Sequence, residues 1–261
     1  LEIIQSRENA LIKHMKKLKD KKYRIQNGAF LIEGFRFVEE ALKSDFDIEA
    51  VFISQSISNS TYASDIVGGV KGATKLYYVS DNIFKDIATT ETPQGIVACA
   101  KIKKYPLQNY EGFYVLADKI QDPGNMGTII RTAHAAGAKG VIYTKGTVDV
   151  YNEKTLRSTM GSIFHISVIE DSELEITRTL KSKGFKVVVS SLDTDNNFFD
   201  VDLSGNSIIC IGNEGNGISE EIYALADDKV KIPMPGGAES LNASVAASIM
   251  IYEIVRQKML K

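Results

Sequence analysis

The sequence predicts an α/β protein in which a C-terminal α/β domain on a parallel sheet is preceded by a small α/β/α domain. Three observations carry that expectation. Between residues 113 and 234, six nearly continuous apolar runs (FYVLAD, GVIYTK, HISVIE, KVVVSS, SIICIG and KVKIPM) are mostly separated by helical stretches, as expected for strands covered by helices on both faces. Before residue 103 a shorter series, AFLIEG, EAVFIS, KLYYVS and GIVACAKI, also alternates with helical stretches. Between the two series lies KKYPLQNYEG, polar and holding a proline, which is linker composition. The expected division is therefore 1–105 and 106–261.

Individual elements follow from periodicity. SRENALIKHMKKLKDKKYR reads as one helix, because Leu11, Met15 and Leu18 recur at helical spacing among lysines. FRFVEEALK is an amphipathic helix after the first strand, and Asn242 to Lys261 closes the chain as an apolar helix. That last helix is rich in small and β-branched residues (Ala243, Val245, Ala246, Ala247, Ile249) and suits burial in its own core or against a second subunit.

Composition narrows the class. Of 261 residues, 44% are apolar and 25% charged, ordinary for a globular protein, and no apolar run reaches the roughly 18 residues of a membrane span. The chain begins at Leu1, read here as loss of an initiator Met, and lysines 13, 16 and 17 stand where a secretory apolar region would be. A cytoplasmic protein with no membrane partner is expected. Cys99 and Cys210 each sit in an apolar β-like run and read as buried reduced thiols. His14, His134 and His165 have no ligand-like spacing, so no metal is expected. Net charge is −2, yet residues 1–24 carry eight basic residues against Glu2, Glu8 and Asp20, a local excess of five. Such a stripe suits phosphate contacts and equally a solvated helix face.

Three loops, each after a strand, hold the polar residues that could do chemistry. Parallel sheets bind ligands beyond their strands' carboxyl ends. In DKIQDPGNMGTIIRTAHAAGA, Asn125 occupies an N-cap position and a helix is expected from Met126 to Ala136. Arg131 would then lie within two turns of the helix start, where the macrodipole disfavours a cation, and that misfit suggests an anionic partner such as a phosphate. In IGNEGNGIS, Gly212, Gly215 and Gly217 free the backbone for close approach, and Glu214 is a candidate proton acceptor or hydroxyl anchor. The G-x-x-G-x-G spacing is neither a dinucleotide fingerprint nor a P-loop, which counts against a nucleotide-binding Rossmann enzyme. In IPMPGGAESLNASVAAS, a strand ends over Ile232-Pro233-Met234, and Ser240 and Asn242 enter the final helix, where both can cap it while reaching into a site.

NMGTIIRTA, GNEGNGIS and IPMPGGAESLNASVAAS, in that order and spacing, resemble the three motifs of the SpoU family of RNA 2′-O-ribose methyltransferases, within the SPOUT superfamily. FLIEGFRFVEEAL and TETPQGIVACA are similar to the L30e-like RNA-binding domain that precedes the catalytic domain in several members. The resemblance implies S-adenosylmethionine as methyl donor, a deep trefoil knot at the C-terminus and a homodimer with active sites at the subunit interface. It implies Arg131, Asn125, Glu214, Ser240 and Asn242 at the reacting end, with Arg131 leading. It implies cofactor contacts, mostly backbone, at Gly212, Ile232, Pro233, Met234, Leu241 and Asn242, with Ser190 and Ser191 lining the same pocket. The expected substrate is structured RNA, large-subunit ribosomal RNA (23S) above transfer RNA. A non-catalytic RNA-binding ribosome-assembly protein of the same fold is the alternative. It predicts degraded motifs, whereas Asn125, Arg131, Glu214 and Asn242 are all present.

Overall fold

The structure is a computed structural model that describes residues 3–260. Glu2 of the basic segment and Lys261 of the closing helix lie outside the described residues. The chain forms two compact units, residues 1–103 with 151–164, and residues 104–150 with 165–261.

The first unit contains β1 (Ile3–Ile4), α1 (Ala10–Lys17), α2 (Lys21–Asn27), β2 (Ala29–Glu33), α3 (Phe35–Lys43), β3 (Ile48–Ser54), α4 (Thr61–Gly69), β4 (Lys75–Val79), α5 (Asp81–Ile87) and β5 (Ile96–Lys101). The expected single N-terminal helix is two. Asp20 caps α2 by accepting from the Lys22 and Tyr23 amides at 2.7 and 3.3 Å, and that side-chain competition for backbone donors ends α1 at Lys17. Gly28, at φ +58°, ends α2 and turns the chain into β2. The sheet order is β1-β4-β3-β5-β2, with β5 antiparallel to both neighbours and the remaining pairs parallel. Ile12, Met15 and Leu18 pack with Ala50, Phe52 and Cys99 in the core beneath α1. Residues 102–112, where the division was expected, carry neither helix nor strand. The excursion 151–164 joins this unit through rings: Tyr151 lies 4.6 Å from Phe30, and Phe164 lies 5.0 Å from Phe37. It contains α7 (Glu153–Thr159).

The second unit holds β6 (Phe113–Ala117), α6 (Pro123–Ala135), β7 (Gly140–Tyr143), β8 (Ser167–Glu170), α8 (Glu175–Ser182), β9 (Lys186–Ser190), β10 (Ser207–Ile211), α9 (Glu220–Tyr223), β11 (Asp228–Val230) and α10 (Ala243–Met259). Its six strands run in the order β11-β9-β10-β6-β7-β8, all parallel, as the unbroken apolar runs require. From β6 the chain builds outward through β7 and β8, then returns to the other side of β6. The strand order therefore reverses between the neighbours β6 and β10, the position at which open parallel sheets leave a ligand crevice. β11 stops at Val230, so Ile232 lies past the strand that was expected to reach Met234; only Lys231 continues the pairing, as a bridge to Asn197.

Among the described residues, no helix is long and apolar enough to cross a membrane. Cys99 and Cys210 are buried free thiols.

Candidate active site

All three loops leave carboxyl ends of the parallel sheet, two of them from the adjacent strands β6 and β10. The first departs from expectation at its cap. Asp122, not Asn125, is the N-cap of α6: its carboxylate accepts from the Asn125 amide at 2.7 Å, and Pro123 fills the first helical position, where a missing N–H costs nothing. Starting at Pro123 moves the helix origin back, so Arg131 is the ninth helical residue, beyond two turns. The macrodipole argument for an anionic partner therefore fails, since that field fades within the first turn. What stands out is accessibility: the Arg131 side chain is exposed and has no protein hydrogen-bond or ionic partner among the described residues.

With the cap supplied by Asp122, the Asn125 side chain is free to face the other loops. It donates through Nδ2 to Glu214 Oε1 at 2.7 Å and accepts through Oδ1 from Asn242 Nδ2 at 2.9 Å. Asn242 is the N-cap of α10, its Oδ1 accepting from the Ser244 and Val245 amides at 2.9 and 3.3 Å and from Ser244 Oγ at 2.7 Å. Those helix donors leave Asn242 only its amide N–H to offer Asn125. The Asn125 amide is thereby oriented in turn, with its donor toward the carboxylate. One polarised chain of hydrogen bonds thus runs from the start of α10 through α6 to Glu214. Asn242 caps as expected, whereas Ser240 makes no capping bond and lines the cavity instead.

The glycine loop is held from below. A Cβ on Gly212 would sit 2.2 Å from the carbonyl carbon of Gly217, so only glycine lets the loop close on itself. Asn213 and Gly217 exchange two backbone hydrogen bonds at 2.9 Å, and Asn213 Oδ1 accepts from the amides of Gly215 and Asn216. Asn213 Nδ2 donates to the carbonyl of Lys119, which has the unusual φ of +54° for a non-glycine residue. Asp118, fully buried, accepts from Ser219 N and Thr144 Oγ1, both at 2.7 Å, and so pins the far end of the loop. Neither Asp118 nor Asn213 was singled out from the sequence. The signal was there: Asp118 ends the FYVLAD run at a strand's carboxyl end, and Asn213 stands between Gly212 and Glu214.

The glycine loop, the segment after β9 and the stretch leading into α10 line a cavity of about 390 Å³, to which the first loop contributes no residue. Its lining includes Ser190, Ser191, Gly212, Glu214, Ile232, Met234, Ser240 and Leu241, all expected from the sequence. Leu192, Asp193 and Tyr223 also line it and were missed. Pro233 is exposed and does not line it. Asn125 and Asn242 reach it only through Glu214, and Arg131 is not among its lining residues. The charged lining residues are Asp193 and Glu214, with no lysine or arginine.

Comparison with known proteins agrees with this arrangement. The SpoU rRNA methylase family model matches residues 112–252, and the MRM3-like substrate binding domain model matches residues 9–98. The 23S rRNA (guanosine(2553)-2′-O)-methyltransferase RlmP of Bacillus subtilis is 37% identical over 96% of this chain and 98% of its own length. A 23S rRNA (uridine(2479)-2′-O)-methyltransferase of Streptomyces viridochromogenes is 30% identical over 90% of this chain and 85% of its own length. The crystal structure of the SpoU methyltransferase AviRb from that organism, in complex with AdoMet, superposes with a TM-score of 0.88 at 29% identity, covering 97% of this chain and 99% of that one. An exposed arginine, an amide–carboxylate chain and a glycine-closed cavity thus occur together in a chain that matches these enzymes over nearly its whole length: it belongs to the SpoU rRNA methylase family.

Proposed function

We propose that this protein transfers a methyl group from S-adenosylmethionine to a ribose 2′-oxygen of 23S ribosomal RNA. The observation that carries the reading is the Asn242–Asn125–Glu214 hydrogen-bond chain, which ties all three motif loops to the rim of one cavity. The two relatives named above, both 23S rRNA 2′-O-methyltransferases by name, support ribosomal over transfer RNA.

The cavity suits the cofactor on chemical grounds. S-adenosylmethionine carries a sulfonium and an ammonium, and the only charged side chains lining the space are two carboxylates. The backbone around Gly212, Ile232 and Leu241 would hold it, with Ser190, Ser191 and Met234 beside it. When bound, the cofactor supplies an electrophilic methyl group on sulfur.

The protein's own residues must orient the ribose and manage the charge that develops on its oxygen. Arg131, exposed and unpaired, is suited to grip the neighbouring phosphate with its planar fork. A guanidinium is a permanent cation in proteins, so its contribution is to stabilise developing alkoxide charge, not to accept the proton. Glu214 has only Oε1 engaged by Asn125 among the described residues, so Oε2 is open to accept the proton that the ribose hydroxyl gives up as its oxygen takes the methyl group. Ser240 adds a hydroxyl on the same rim.

The trefoil knot and the homodimer implied by the resemblance, and the cytoplasmic location expected from composition, are part of the proposal. Val245 and Tyr252 on α10 are about half exposed, and Met259 more so, which supports a dimer surface along that helix. The test is methyl transfer from labelled S-adenosylmethionine to 23S rRNA and to tRNA, with mapping of 2′-O-methyl marks. Incorporation into 23S rRNA at one nucleotide is expected. Cofactor binding with incorporation into tRNA alone would overturn the substrate, and no cofactor binding would overturn the reaction.

A further inference from the structure

The first unit contains a second cavity, of about 350 Å³, that the methyl-transfer reading leaves unused. It lies between α1 and the end of the sheet face where β3 begins. Small side chains at Ala50, Ala73 and Cys99 leave the space, and it falls within the roughly 300–1,000 Å³ of small-molecule pockets. A β-bulge between Ile48 and Ala50 interrupts the β3–β5 register beside it, an irregularity common next to binding sites.

The lining chemistry is specific. Tyr77 is stacked on Phe52 with ring centroids 5.2 Å apart, forming an aromatic wall that is half open at Tyr77. Glu49 is already engaged, with Lys101 at 2.8 Å and the Cys99 thiol at 3.5 Å. Asp47 is not: its carboxylate is exposed and has no side-chain partner among the described residues. Lys75, exposed, lines the cavity from β4, and His14 lines it from α1. With Glu49 neutralised by Lys101, the open charged groups of the lining are one carboxylate, Asp47, and one ammonium, Lys75. That pair of charges matches a nucleotide, whose base can donate to the carboxylate and whose phosphate can meet the ammonium. An open carboxylate offers two acceptor oxygens side by side, the complement of the two parallel N–H donors on the Watson–Crick edge of guanine.

We propose that this cavity receives one unstacked guanine of the RNA substrate, lying beside the Phe52–Tyr77 stack with its N1–H and 2-amino groups donating to Asp47. The inference rests on the RNA reading above and adds a base-specific contact made by the first unit. The test uses the full chain and single-stranded uridine hexamers carrying one internal guanosine, one internal inosine, or neither. Affinity should fall in that order, with the guanosine hexamer binding about tenfold tighter than all-uridine. Asp47→Asn, which keeps the shape and replaces one acceptor by a donor, should remove the preference. Ala73→Leu fills the mouth from an exposed position and should do the same, and both should raise KM for rRNA while leaving kcat and cofactor affinity unchanged. Equal affinity of the wild type for all three hexamers, or a preference that survives both substitutions, overturns the proposal. Methyl transfer to 23S rRNA reads the earlier proposal separately: transfer intact without guanine preference sinks only the pocket, and guanine preference without transfer sinks only the reaction.

Discussion

Two glutamates placed just after strands have opposite fates in the two units. Glu33 ends β2 in the mixed sheet and accepts four bonds, three at Oε2 and one at Oε1, from the backbone amides and hydroxyls of Thr89 and Thr90, with Thr89 Oγ1 at 2.6 Å and Thr90 N at 3.1 Å. Glu214 follows β10 in the parallel sheet, is exposed, and accepts one bond, from Asn125. A carboxylate held by four protein donors stitches its strand to a neighbouring loop, whereas one with a single donor can meet a substrate. Strand direction explains why the two sheets differ in this. All six strands of the parallel sheet release their loops at one edge, so three distant segments meet. In the other sheet β5 runs against its neighbours and the carboxyl ends are divided between two edges. Its cavity opens on a sheet face, with Asp47 and Ala73 added by the segments that lead into β3 and β4.

The sharpest way to break this contrast is at Arg131. Arg131→Ala should lower turnover by about 10²–10³-fold, the usual loss when a single charge-stabilising donor is removed. Because the side chain is exposed and has no protein partner among the described residues, the melting temperature and cofactor affinity should not change. Near-normal turnover in single-turnover assays would remove Arg131 from the chemistry.

Gly212→Ala attacks the closure of the loop. Its Cβ would overlap backbone atoms of Gly217 and Ile218 within 2.4 Å, so the loop must open, costing about 1–3 kcal/mol. Calorimetry should show cofactor binding lost and thermal stability lowered together. A variant that bound cofactor normally would mean that the closed loop is not needed for the pocket.

Asn125→Asp tests the polarity of the hydrogen-bond chain. It replaces the donor facing Glu214 by a second carboxylate at about the same distance, so one charge–dipole bond becomes a repulsion. Losing a hydrogen bond to a charged group costs about 1.5–3 kcal/mol, which corresponds to roughly a 10- to 100-fold fall in kcat/KM. Steady-state kinetics should show that fall with the fold intact; an unchanged kcat/KM would deny the coupling. Glu33→Ala supplies the counterpart in the other unit. It should destabilise the protein by about 1–3 kcal/mol through the threonine donors it leaves unpaired, while kcat at 25 °C is unchanged.

Much of this was legible in the residues. The four-strand and six-strand series and the three loops lie where apolar periodicity and turn chemistry put them, because burial sets period and composition sets turns. What was not legible depended on side-chain competition over short distances. Asp122 and Asn125 are both good N-caps three residues apart, and the presence of Pro123 at the first helical position decides between them. The break between α1 and α2 depends likewise on Asp20 winning amides that a continuous helix would have used. The amide chain from Asn242 to Glu214 joins residues up to 117 positions apart, and no local pattern encodes which amide faces which.

The smallest expected effect distinguishes the interiors of the two units. Burial pushes the Cys99 thiol up to about 12, helped by the neighbouring Glu49 charge. Cys210, in the centre of the parallel sheet, is raised further by burial and then by the charge of Asp118. At pH 8 a thiol titrating near 12 is ionised to about one part in 10⁴, against roughly a quarter for an unperturbed cysteine. Both should therefore react with a small thiol reagent at least about 10³-fold more slowly than a free thiol. Cys99 lines the open cavity of the first unit, whereas Cys210 lies between β10's neighbours with no exposed surface. Mass spectrometry of partially labelled native protein should accordingly find Cys99 modified first. Equal rates would mean that both cysteines react only through global unfolding, and that the cavity does not open as far as the sheet face at β5.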